Sequence, residues 1–88
     1  MRPSDIHSMI SAGFPAAHSI TVQGDDGVHF EATVVCDSFS GKLPLARHRM
    51  VYVTLGDKMG GEIHALALKT QTPAEAASLA ATRSEGGR

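Results

Sequence analysis

Tryptophan is absent from this chain, tyrosine occurs once and phenylalanine three times, so the core has to be built mainly from aliphatic side chains. A single cysteine, Cys36, excludes an intramolecular disulfide and any metal site made of cysteines alone. Long apolar runs are also missing. The longest are Met50 to Val53 and Ala65 to Leu68, far short of a membrane span. Residues 1–14 interleave Arg2, Ser4, Asp5, His7 and Ser8 with the apolar positions and contain no secretory core. A reducing, cytoplasmic setting without membrane contact is the expectation. Charge is nearly balanced, at a net of −1, so any basic footprint must be local. There is no phosphate loop, no G-x-G-x-x-G and no supported Ser-His-Asp order, which argues against an enzyme.

What is present fits one small domain over residues 1–82, with 83–88 expected as a mobile tail lacking an apolar anchor. Ser4 can cap a first helix whose Ile6, Met9 and Ile10 share a face, with Gly13 as the stop. Residues 18–23 alternate as a strand, and Gly24-Asp25-Asp26-Gly27 is hairpin punctuation. A second strand over 28–36 points Phe30, Ala32, Val34 and Cys36 one way, and His29, Glu31, Thr33 and Val35 the other. A helix fits 43–59, with Val51, Leu55 and Met59 inward, His48 and Tyr52 beside them, and Gly60-Gly61 as the stop. A third strand is predicted over 62–70. Thr72-Pro73-Ala74-Glu75 reads as a capping box opening a helix to Thr82. The order α-β-β-α-β-α implies an α+β two-layer sandwich: a three-stranded sheet with helices on one face.

Three blocks then stand out: Phe39-Ser40-Gly41-Lys42, Arg47-His48-Arg49 followed by Val51 and Leu55, and Ile63-His64-Ala65-Leu66 ahead of Thr72-Pro73-Ala74-Glu75. Together with His29-Phe30 and Val34-Val35 they resemble the BolA family over residues 4–76. The resemblance implies a fold similar to class II KH domains. It also implies a non-enzymatic role in iron–sulfur and redox regulation. The partner would be a monothiol glutaredoxin, with a 2Fe–2S cluster shared between the chains and glutathione on the partner side. The isolated chain would carry no cofactor and be a monomer or weak homodimer. Two positions depart from the family pattern. Ala76 stands where most members have Trp, and no Cys or His lies between Gly24 and Val28, where many relatives carry a ligand.

The position matching the family's C-terminal histidine ligand is His64. For the second ligand, Cys36 offers a soft thiolate, but it lies seven residues from His29 on the same strand. That separation is roughly 23 Å at about 3.3 Å per residue, on the opposite face. His29 is therefore the expected second ligand, with Asp25 or Asp26 as harder substitutes. Cys36 is expected as a small buried hydrophobe. His48 is expected to hydrogen-bond at the core edge.

The competing function is a DNA-binding transcriptional regulator, a role described for some BolA relatives. No Asp or Glu occurs from Ser38 to Gly56, whereas Lys42, Arg47 and Arg49 do. Three cations on a helix and its leading turn support about three phosphate contacts and a shallow salt dependence. Gly24-Asp25-Asp26-Gly27 matches the G-x-x-G of KH domains only in form. It joins strands, and its two carboxylates would repel phosphate.

Overall fold

The structure, a computed structural model, describes residues 1–86 apart from Val28 and His64, with side chains described as far as Leu79. Eight elements follow in order: α1 (Pro3–Gly13), β1 (Ser19–Gln23), β2 (His29–Val35), a 3-10 turn (Asp37–Phe39), α2 (Pro44–Leu55), a second 3-10 turn (Gly56–Lys58), β3 (Ala65–Gln71) and α3 (Pro73–Gly86). The strands form one sheet in the order β1-β2-β3. β1 and β2 are antiparallel, as a hairpin requires, with Ser19 opposite Val35 and Gln23 opposite Glu31. β2 and β3 are parallel, from His29 opposite Ala65 to Val35 opposite Gln71. A parallel pair needs a crossover, and α2 supplies it.

Period-two alternation assigns the faces. Phe30, Ala32 and Val34 are buried, whereas His29 and Glu31 are exposed. α1 brings Ile6 and Ile10 to the covered face, and α2 brings Val51 and Leu55. Phe39 completes the core from the 3-10 turn. It is fully buried, with its ring centroid 5.4 Å from that of Phe14.

Four boundaries differ from the sequence reading, two of them for a plain local reason. α1 starts at Pro3, not after Ser4, because proline has no N–H to lose in a first helical turn. The Arg2 N–H donates to the Asp5 carboxylate at 2.8 Å, so Asp5 closes the helix end. α2 stops at Leu55, four residues early. Gly56 takes φ +56°, a left-handed conformation that ends the helix, and its N–H donates to the Tyr52 carbonyl. Met59 consequently lies off the helix, in a bridge to Ile63. Ile63 is fully buried ahead of β3 rather than within it. At the other end, α3 continues to Gly86, past Thr82.

The Thr72–Glu75 capping box forms as expected. Glu75 N–H donates to Thr72 Oγ1 at 3.1 Å, and Thr72 N–H to Glu75 Oε1 at 3.0 Å.

Candidate functional site

His29 opens β2 with its side chain 60% exposed. Asp26, in the hairpin turn, holds it twice: Oδ1 accepts the His29 backbone N–H at 2.8 Å, and Oδ2 lies 2.6 Å from ring Nδ1. A carboxylate can only accept, so in the neutral ring the proton is on Nδ1 and the lone pair on Nε2. Gly24 permits this tight turn by close approach. A Cβ there would meet the His29 carbonyl oxygen at 2.7 Å and the Phe30 ring at 2.7 Å. An open depression of about 360 Å³ lies between Gly24, Asp25, His29, Glu31 and Ala65.

Across the sheet, His29 pairs with Ala65, the residue that follows His64 in sequence. His64 itself lies outside the described residues. The chain ahead of it is tightly tied. Ile63 N–H donates to the Lys58 carbonyl at 2.9 Å, and Gly60 N–H to the Ile63 carbonyl at 3.0 Å. Lys58 and Glu62 pair at 2.8 Å, which raises the lysine's pKa and lowers the glutamate's.

Cys36 follows the opposite end of β2. It is 2% exposed and part of the apolar core, with Sγ 3.4 Å from Ser38 Oγ. Its backbone N–H donates to the Gln71 carbonyl. Among the described residues, no three of His, Cys, Asp and Glu converge on one point.

The basic segment divides. Lys42 and Arg49 are exposed, but Arg47 is only 9% exposed and points inward. Its Nε donates to the Lys42 carbonyl at 2.8 Å and its Nη1 to the Thr70 carbonyl at 3.3 Å. Nη1 and Nη2 grip the two Glu75 oxygens at 2.6 and 3.0 Å. The guanidinium carbon stands 6.0 Å from the Phe39 ring centroid. The expectation that Arg47 joins Lys42 and Arg49 as a phosphate contact is therefore corrected: the side chain is buried and four of its five N–H donors are engaged inside the fold. The Arg47 fork, with the Thr72 backbone N–H, holds the Glu75 carboxyl down at about 2.

The other histidines are spread over the surface. His48 is half-buried, edge-on to Tyr52 with ring centroids 6.4 Å apart, a contact between aromatic rings where a hydrogen bond was expected. His7 Nδ1 lies 3.3 Å from Ser11 Oγ, and His18 Nε2 lies 3.2 Å from Asp37 Oδ2. Two residues organise these sites in roles that sequence reasoning did not give them. One is Asp26, three residues before His29, which was named there only as turn punctuation and a substitute ligand. The other is Glu75, which was read only as a helix cap.

With this geometry in place, comparison with known proteins is specific. The profile of the family described as BolA-like protein matches residues 6–75. The chain is 47% identical over 47 residues to BolA-like protein 1 of Homo sapiens, covering 53% of this chain and 34% of that one. It is 51% identical over 47 residues to the DNA-binding transcriptional regulator BolA of Vibrio cholerae, covering 53% and 44%. The chain thus spans between about a third and under half the length of these curated relatives. A bolA protein homologue from Coxiella burnetii superposes with a TM-score of 0.75 at 47% identity, covering 85% of this chain and 95% of that one. The helices and mixed sheet are those of its structural neighbours. On sequence and fold together, this chain belongs to the BolA-like protein family.

Proposed function

We propose that this protein is a non-enzymatic adaptor that binds a monothiol glutaredoxin and completes the coordination of a shared 2Fe–2S cluster with His64 and His29. One observation carries the reading: an exposed imidazole, His29, stands directly across the sheet from Ala65, the residue next to the family-matched histidine. Strand register thereby brings position 29 beside a segment more than thirty residues away in sequence. Cys36, the softer donor, is sealed in the core beyond the other end of β2.

The donor set suits iron. Neutral imidazole offers a nitrogen lone pair, and His29 has its proton committed to Nδ1 by Asp26. When bound, the cluster supplies one-electron redox chemistry, and imidazole in place of thiolate raises its potential. This chain's own residues hold and orient the ligands: Asp26 fixes the His29 ring, while the Lys58–Ile63 turn anchors the approach to His64. The test is optical. The full chain is mixed with cluster-loaded monothiol glutaredoxin, and visible absorption and circular dichroism are recorded. A new spectrum is expected, lost in His64→Ala, weakened in His29→Ala and kept in Cys36→Ser. A spectrum identical to that of glutaredoxin alone overturns the reading.

A second reading rests on the name of the Vibrio cholerae relative, a DNA-binding transcriptional regulator, and on the exposed Lys42 and Arg49 in a stretch without acidic residues. With Arg47 turned inward, about two phosphate contacts remain. The slope of log K against log salt should then be close to about −2. A Lys42→Ala/Arg49→Ala variant should abolish DNA binding, and undiminished binding removes this surface from consideration.

A further inference from the structure

We propose that Asp26 is the positioning residue for His29, selecting the imidazole tautomer that turns Nε2 into the metal-binding nitrogen. This rests on the cluster reading above and deepens it. One carboxylate engages both parts of the same residue. Oδ1 takes the His29 backbone N–H at 2.8 Å, and Oδ2 meets ring Nδ1 at 2.6 Å. The first bond fixes where β2 begins, and the second fixes the orientation of the ring relative to that backbone. Since a carboxylate cannot donate, the ring contact specifies the Nδ1–H form. An unconstrained histidine side chain in water prefers the proton on Nε2, so the Asp26 contact reverses that preference. A histidine ligand depends on the partner of its other ring nitrogen in this way: the bond sets tautomer and orientation and raises ligand basicity.

Asp26→Asn separates orientation from simple folding. The side-chain amide is the same size, and its oxygen can still accept the His29 backbone N–H. Its NH2 then faces the ring, where it donates to Nδ1 and moves the imidazole proton to Nε2. The turn survives, but the lone pair points at the amide.

Long-range proton–nitrogen spectra of the full chain, labelled in its imidazoles, read the tautomer directly. They are recorded about two pH units above an ordinary imidazole pKa, and His29 is assigned by its loss in His29→Gln. The wild-type ring should show a protonated Nδ1 and an unprotonated Nε2, and Asp26→Asn should exchange the two. A wild-type ring protonated on Nε2, or a tautomer unmoved by Asp26→Asn, overturns the proposal. With cluster-loaded glutaredoxin as the probe, half-saturation of the optical change should need about tenfold more Asp26→Asn than wild type. Equal half-saturation also overturns it. If the free chain shows the expected tautomers and no mixture changes the spectrum, the cluster reading fails while the tautomer assignment stands.

Discussion

Arg47 and Glu75 face each other as fork to fork, Nη1 on Oε1 at 2.6 Å and Nη2 on Oε2 at 3.0 Å, and so tie the second turn of α2 to the first turn of α3. The same guanidinium caps the Thr70 carbonyl of β3, and the same carboxylate caps the N-terminus of α3. One ion pair therefore joins three elements. Lysine cannot reproduce the planar two-point grip, so Arg47→Lys and Glu75→Gln should both lower the melting temperature.

This pair also sets a pH dependence. Glu75 titrates at about 2 in the folded chain, against an ordinary value of 4.5. A carboxyl whose pKa is depressed by folding stabilises the fold above its unfolded pKa, and that contribution fades as pH falls through the folded value. In urea melts, the stability gap between wild type and Glu75→Gln should be full at neutral pH, narrow below about 4.5 and close near 2. A gap of constant size across that range contradicts the assignment.

Phe39 is the largest fully buried side chain, although it lies in a three-residue turn rather than in a helix or strand. Replacing it by alanine leaves a hole against Phe14 and beneath Arg47. Phe39→Ala should cost about 3–5 kcal/mol by urea denaturation, a large share of the stability of a domain this small.

Cys36 should be inert in the folded state, because at 2% exposure its thiol is out of reach of reagents. In rising urea, modification by a disulfide reagent should follow the global unfolding transition. Rapid labelling without denaturant would show that the sulfur is not where the fold places it.

Gly24→Ala drives a methyl group into the His29 carbonyl and the Phe30 ring, each 2.7 Å from the new atom. The hairpin must shift, and His29 moves with it. The expected result is a changed His29 imidazole resonance and a weaker optical response to cluster-loaded glutaredoxin. The folded core, built from β2, α1 and α2, should remain.

The fold was legible because its signals were local and periodic. Alternation assigned the covered face of β2 and placed His29 and Glu31 on the open one, though Val35, read as outward, is buried; the Thr72–Glu75 box marked the start of α3 to the residue. Arg47 shows where such reading stops. It lies four residues before Val51 and eight before Leu55, on the stripe that packs inward. A cation on that stripe looks like a surface charge until the acid that neutralises it, 28 residues away, is known to be adjacent. The early stop of α2 was hidden for a simpler reason. Gly56 is isolated, while Gly60-Gly61 is conspicuous; both Gly56 and Gly60 take positive φ, and only the Gly56 N–H bond to the Tyr52 carbonyl marks the first as the helix end. At the candidate site, His29 could be found by type and position. Asp26 was named from sequence only as turn punctuation and a substitute ligand; its three-residue spacing to His29 was the signal for the contact it makes.

The parallel docking of β3 on β2 places two responsibilities on one edge strand. Near its start, Ala65 sits opposite His29; near its end, the Thr70 carbonyl receives Arg47. Detachment of this strand would disconnect the imidazole end and the guanidinium anchor in a single event. Amide hydrogens along β3 should therefore exchange together as one cooperative unit, and a partner gripping the His29 end should slow exchange as far away as Gln71.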